Sequence, residues 1–309
     1  MRIGIMAGAS SGPDATLEAL IALARDVEKR GFSTLWMAQF FGMDALTALA
    51  VVARETRRIE LGTAVLPTYP RHPLAMAQQA LTAGVAAGGR FTLGIGLSHP
   101  IVIEGLMGLD YAKPATHMRE YLEVLTPLLR GEPVQFAGDR FRVNAELAIE
   151  AAQPVSLILA ALGPVMLDLA GRFADGTITW MTGPETLANH IVPTIRAAAE
   201  KAHRPAPRII SGLPLVVTDD APAVREKLSR TLRMYATMPS YRAMFEREGV
   251  ANPEDIAVLG NEAEVAAVLD GLEASGVTDF NASVLTPDAE IKQRTFDFLE
   301  SRVAQAAVE

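Results

Sequence analysis

The 309 residues carry a net charge of −8, half of them are hydrophobic and none is cysteine. That composition allows a sizeable core and excludes disulfides, thiolate metal sites and cysteine nucleophiles. The acidic balance and the lack of a basic run argue against a nucleic-acid partner, and no apolar run reaches the length of a membrane span. The five histidines are scattered without metal-ligand spacing, so no metal is expected. No signal-peptide pattern precedes the first strand, and a cytoplasmic protein is expected.

Arg2-Ile3-Gly4-Ile5-Met6 reads as a short apolar strand, and Ala7 to Pro13 as a loop of small residues. Asp14 is placed to cap a helix with Leu17, Leu20, Ile21, Ala24 and Val27 on one face, and Gly31 ends it. Ser33 to Ala38 is a second strand, ending at Gln39-Phe40-Phe41. Asp44 caps a helix through Ala45, Leu46, Leu49, Val52 and Ala53. Ile59 to Leu66 is a third strand, followed by Pro67 to Pro73, and Leu74 to Ala87 is helical.

Gly88 to Pro100 reads as a fourth strand with an abrupt end. Phe91 to Ile95 is apolar and uncharged, as a strand covered on both faces should be. Gly94 and Gly96 lie two apart and lack side chains on the same face, which leaves room for something flat against the backbone. Ser98 and His99 then place two polar side chains at the strand's C-terminal end.

Pro114 to Leu129 is another helix, and residues 131–143 read as a hairpin insertion. Strands then follow at Val155 to Ala161, Gly176 to Met181, Ile209 to Thr218 and Val277 to Leu285, with a helix after each. A further helix spans Glu262 to Ser275. Residues 237–259 belong to no simple strand–helix unit. Short connections between alternating strands and helices argue for right-handed βαβ units and a parallel sheet. Eight strands with eight helices predict a closed (β/α)8 barrel of the α/β class, in one domain over residues 1–309.

The active end of such a barrel lies at the strand C-termini. Ala161-Leu162-Gly163-Pro164 runs from a strand straight into a helix, and Thr182-Gly183-Pro184 repeats the arrangement one unit later. Both present free N–H groups that suit phosphate, although Gly-Pro also begins ordinary helices. His99 is placed to exchange a proton near pH 7. His72 could touch substrate or anchor its loop, and Asp44 reads as a cap. His117, His190 and His203 read as surface or packing residues, and Asp219-Asp220 as a helix start. Trp180 is the better tryptophan to wall a pocket and Trp36 the better core residue. No paired carboxylates suited to hydrolysis and no nucleophile elbow are found.

Five segments together resemble the bacterial luciferase-like monooxygenase superfamily, in its coenzyme F420-dependent oxidoreductase branch. They are Gly31-Phe32-Ser33-Thr34-Leu35-Trp36, Ile59 to Val65 with Arg71-His72-Pro73, Gly89 to Gly96, Ala170 to Gly176, and Gly276 to Phe280. The resemblance implies a TIM barrel with insertions that holds a deazaflavin, or alternatively FMN, across the strand C-termini. It implies a non-proline cis peptide at Ala64-Val65 behind the ring and an approach of Gly96-Leu97-Ser98 to it. Gln39 would also touch the cofactor. Ala160, Ala161, Leu162, Gly163, Thr182 and Gly183 would line the phosphate end, while Phe40, Tyr69, His72 and Trp180 would form the substrate pocket. Residues 237–259 correspond to a variable, lid-like segment. Many F420-dependent dehydrogenases of this kind carry an acid and a histidine after the second strand. Here those positions read Gln39-Phe40, and the acid after the fourth strand reads His99.

The implied function is hydride transfer between F420 and a small organic substrate, in the reductive direction, with His99 or water giving the proton. The rivals are an FMN-dependent monooxygenase that uses oxygen, a non-catalytic cofactor-binding protein and a metal-dependent barrel hydrolase. The resemblance also implies a homodimer through the helices beside the second and third strands, where Ala45, Ala48 and Val52 form a small-residue face.

Overall fold

The computed structural model describes residues 1–7, 15–149 and 153–306. β1 (Arg2–Met6), α1 (Leu17–Lys29), β2 (Thr34–Met37) and α2 (Ala45–Glu55) open the chain, followed by β3 (Glu60–Thr63), the two-residue β4 (Leu66–Pro67) and α3 (Pro73–Ala86). Then come β5 (Phe91–Gly96), the short α4 (Pro100–Ile103), α5 (Pro114–Leu129) and the antiparallel pair β6 (Val134–Ala137) and β7 (Arg142–Ala145). β8 (Ser156–Ala160), α6 (Pro164–Phe173), β9 (Gly176–Trp180), α7 (Pro184–Thr186), a π turn and α8 (Val192–Lys201) follow. The chain ends with β10 (Arg208–Val217), α9 (Ala221–Leu232), α10 (Pro239–Glu248), β11 (Val258–Gly260), α11 (Glu262–Ala274), β12 (Asp279–Ser283) and α12 (Ala289–Ala306).

Eight parallel strands close on themselves in the order β1, β2, β3, β5, β8, β9, β10, β12 and back to β1. This is the expected (β/α)8 barrel. The β6–β7 hairpin falls where Pro133 and Gly138 bracket alternating apolar residues. Three expectations change in detail. Asp14 lies outside the described residues, as does the loop from residue 8, and Thr16 caps α1 by accepting from the Ala19 N–H. The single strand expected over Ile59 to Leu66 is broken into β3 and β4. Residues 237–259 hold α10, a 3-10 turn and β11, which pairs with an outward extension of β10 at Leu215–Val217.

Side chains fill the barrel in layers. At the N-terminal end, Arg2, Glu60, Arg208 and Asp279 form an ion-pair ring. Arg208 donates to Glu60 at 2.8 Å and to Asp279 at 2.6 Å, and Arg2 pairs with both carboxylates. Burial alone would raise the Glu60 pKa, but Arg208, the Thr92 hydroxyl and Arg2 together hold it below its ordinary value. Above this ring Trp36, Ile158, Ile178 and Ile210 pack together, with Met6, Ala64, Val65 and Ala160 on top. Gly62 makes room for the Trp36 ring, which would stand 2.3 Å from a Cβ there. Outside the barrel, Ala45, Ala48 and Val52 of α2 are buried within the chain, so helix-on-barrel packing uses the small-residue face. Among the described residues no helix is long and apolar enough to cross a membrane.

Candidate active site

The floor of the mouth is the break in the third barrel strand. β3 pairs with β5 through Leu61 and Gly62, and β4 regains β5 at Leu66 opposite Ile95. Between them the chain leaves the ladder, with a cis peptide at Ala64-Val65. The Thr63 side chain fills the gap: its hydroxyl donates to the Gly94 carbonyl and accepts from the Gly94 N–H, both at 2.8 Å. Gly94 and Gly96 make this arrangement possible. A Cβ at Gly94 would lie 1.9 Å from the Thr63 carbonyl oxygen, and one at Gly96 would lie 2.9 Å from Val65 Cγ2 and 3.2 Å from Ala160. The space opened by the paired glycines is therefore taken by the chain's own bulge, and the half-buried Ala64 and Val65 present an apolar surface to the mouth.

β5 ends at Gly96, and Leu97 follows, then Ser98 with a φ of 62°. The Tyr111 hydroxyl donates to the Ser98 carbonyl at 3.3 Å and steadies this turn. His99 follows as the residue that starts α4, with its ring 5.7 Å from that of Tyr241 on α10. Burial lowers the His99 pKa, so the ring is neutral at pH 7. Leu97, Ser98 and His99 are all half-buried at the mouth.

Other expected pocket residues have structural partners. Tyr69 is stacked between Tyr111 and His117, with ring centroids 5.0 and 3.9 Å away. His117 is buried and bonds Thr68 at 3.0 Å. Burial, followed by the charge of Arg140, pushes its pKa down to about 4. His72 is exposed, accepts from the Leu74 N–H as the cap of α3, and rests on Phe141. Gln39 accepts from the Ala45 N–H at 2.8 Å and so shapes the start of α2, beside the capping Asp44 that also pairs with Arg71. Phe40 is 57 % exposed. Trp180 is half-buried at the end of β9 and packs edge-on against Tyr235.

The two helix starts lie side by side, because His190 Nε2 bonds the Leu162 carbonyl at 2.8 Å. They differ in one respect. Gly163, at the start of α6, has no side-chain cap, and a Cβ there would meet nothing within 4 Å. At Gly183 a carboxylate is already seated. Glu248 of α10 accepts from the Glu185 N–H at 3.1 Å and from the Thr186 N–H at 2.8 Å. Thr182 is buried behind it and donates to the Trp180 carbonyl. Sequence reasoning did not find Glu248, Tyr235 or Tyr241. Tyr241 and Glu248 lie in the segment with no strand–helix pattern and Tyr235 just before it, and only their aromatic and acidic character hinted at a role. Among the described residues no three His, Asp or Glu side chains gather in a way that could hold a metal ion.

The model of the luciferase-like monooxygenase family matches residues 1–279. The chain belongs to that family. A relative from Mycobacterium tuberculosis that bears a coenzyme F420-dependent oxidoreductase name is 33 % identical over 199 residues, 60 % of this chain and 56 % of that protein. The 5,10-methylenetetrahydromethanopterin reductase of Methanolobus tindarius is 27 % identical over 287 residues, 91 % of this chain and 87 % of the reductase. Among solved structures, the coenzyme F420-dependent tetrahydromethanopterin reductase of Methanopyrus kandleri superposes with a TM-score of 0.82 over 99 % of both chains, at 22 % identity. The family member described here thus shares its whole barrel with that enzyme.

Proposed function

We propose that this chain is an F420-dependent oxidoreductase that reduces a small organic substrate, one that bears a carbonyl or a conjugated double bond. The observation that carries the reading is the mouth itself: an apolar floor at Ala64-Val65 and, at the end of β8, an uncapped helix start at Gly163. A tricyclic ring with a phosphate-bearing tail needs those two features. Relatives named for F420 along most of the chain support the choice of deazaflavin.

The residues fit that cofactor. The free N–H groups at the start of α6 suit its phosphate, and Ala160, Ala161 and Leu162 line the path to it. Ala64 and Val65 would support the ring, with Gly96, Leu97 and Ser98 at its edge. When bound, the deazaflavin supplies the hydride chemistry. The chain supplies orientation and a water-poor mouth beneath α10. Neutral His99 would donate a hydrogen bond to the acceptor oxygen of the substrate and polarise it, while the proton comes from water. With Gln39-Phe40 in place of an acid and a histidine, no proton-carrying side chain stands at those positions after the second strand. Phe40 and Trp180 would give the substrate an apolar border. We further read residues 1–309 as one domain and the protein as a cytoplasmic homodimer.

The test is oxidation of reduced F420 by purified protein, followed by absorbance, across ketones, aldehydes and conjugated enones. The proposal expects turnover that depends on the organic acceptor and not on oxygen. Oxygen-dependent turnover with reduced FMN, giving an oxygenated product, would replace it with the monooxygenase reading. That rival has its own support in the family's name.

A further inference from the structure

The Glu248 carboxylate is held by backbone N–H groups, as the Glu28 carboxylate is elsewhere in the barrel. Among the described residues it makes no ion pair. Both of its oxygens are instead spent on backbone N–H groups, those of Glu185 and Thr186. Gly183 permits this approach, since a Cβ there would stand 2.2 Å from Glu248 Cδ. A third link runs in parallel, from the Thr186 hydroxyl to the Met244 carbonyl at 3.3 Å. All three tie the C-terminal half of α10 to the turn that follows β9. The charged and titratable groups around the carboxylate are Glu185, His190 and Arg247.

The other half of α10 reaches across the mouth. Tyr241 stands edge-on to Tyr235 at 4.9 Å and tilts against His99 at 5.7 Å, and Tyr235 meets Trp180 at 6.2 Å. An aromatic chain therefore spans the opening from the end of β9 to the end of β5. Its middle members ride on α10 and on the turn before it. The seat of α10 decides whether Tyr241 covers His99.

We propose that Glu248 is a positioning residue: its carboxylate seats α10 on the Glu185 and Thr186 N–H groups and so holds Tyr241 over His99 at the barrel mouth. The role assigned to His99 rests on the function proposed above, but the seat does not. Charge-assisted hydrogen bonds are worth more than neutral ones, and these two are partly shielded at the edge of the mouth. Their loss leaves two N–H groups unpaired and frees the helix that carries Tyr241. His99 then gains solvent, and the burial that depresses its pKa is relieved.

The experiment uses the ligand-free protein, so a failure of the F420 reading leaves its outcome untouched. Amide exchange over residues 239–248 and the His99 imidazole titration by NMR are measured for wild type, Glu248→Ala, Glu248→Gln and Tyr241→Ala. With Glu248→Ala, exchange in α10 rises about tenfold or more, and the His99 pKa moves up toward its ordinary value of 6.5. Glu248→Gln keeps one acceptor and falls between the two. Tyr241→Ala raises the His99 pKa but leaves the Glu185 and Thr186 amides protected. Exchange in β5 serves as the folding control. If Glu248→Ala fails that control, Glu248→Gln alone decides. Unchanged α10 exchange overturns the proposal. So does faster exchange with an unmoved His99 titration, since the helix would then be held by Glu248 without placing Tyr241.

Discussion

Replacement of Thr63 by valine probes the floor of the mouth. The side chain is fully buried, and its hydroxyl bonds both the N–H and the carbonyl of Gly94 at 2.8 Å. Valine has nearly the same shape, so packing is kept and only the two hydrogen bonds go. Gly94 is left with a donor and an acceptor that face a methyl group where the β3–β5 ladder is interrupted. Each buried group orphaned in this way costs about 1–3 kcal/mol, so the pair should cost about 3 kcal/mol. Serine keeps the hydroxyl and loses one methyl, for about 1 kcal/mol. Urea unfolding monitored by tryptophan fluorescence measures both variants, and cofactor titration of the folded fraction measures the floor itself. The expected order is wild type, then Thr63→Ser, then Thr63→Val, with the valine variant also weaker in cofactor binding. A valine variant within about 0.5 kcal/mol of wild type, or a serine variant equally damaged, would refute the argument, because the hydroxyl would then carry nothing.

Three further outcomes follow from the same geometry. Glu60→Gln removes one carboxylate from the ring that closes the barrel and should cost about 3 kcal/mol in chemical denaturation. The folded-state pKa of Glu60 is depressed, so its contribution is present above the ordinary carboxylate value of 4.5 and is lost as pH falls through the folded value. His117 is depressed to about 4. The unfolded chain therefore binds the extra proton first, and stability should fall as pH drops from about 6.5 toward about 4; His117→Gln should flatten that slope in a pH series of melting curves. Gly163→Asp adds a capping carboxylate at a position with ordinary extended backbone. It should leave stability within about 0.5 kcal/mol while weakening F420 binding more than about tenfold by like-charge repulsion, as read by fluorescence titration.

The barrel was legible because strands and helices alternate at short spacing, and each helix start or stop carries its own chemistry. Asp44 and Asp220 cap helices as expected, and Gly31 and Gly276 adopt positive φ at helix ends. The break at Ala64-Val65 was implied by resemblance only: the apolar run Ile59 to Leu66 has no local signal that separates β3 from β4. The paired glycines pointed to a close approach, but not to its partner, which is the Thr63 carbonyl from a neighbouring strand. Contacts between distant segments were the least visible. Arg2, Glu60, Arg208 and Asp279 are single charges at the first positions of four strands, and they meet only because the barrel closes. Glu248 reads as one acid in a charged helix until the fold brings it to Gly183. Tyr69 and His72 were placed in the pocket because their loop ends at the right face of the barrel. Their side chains rest on Tyr111, on His117 of α5 and on Phe141 of the β6–β7 hairpin.

The most direct test of the account is equilibrium binding of purified protein to F420 and, separately, to FMN, followed by cofactor or tryptophan fluorescence. The account predicts F420 binding at micromolar Kd or tighter, with FMN at least tenfold weaker, a gap of about 1.4 kcal/mol. A preference for FMN would contradict the choice of cofactor, and binding of neither would make Gly163 an ordinary helix start.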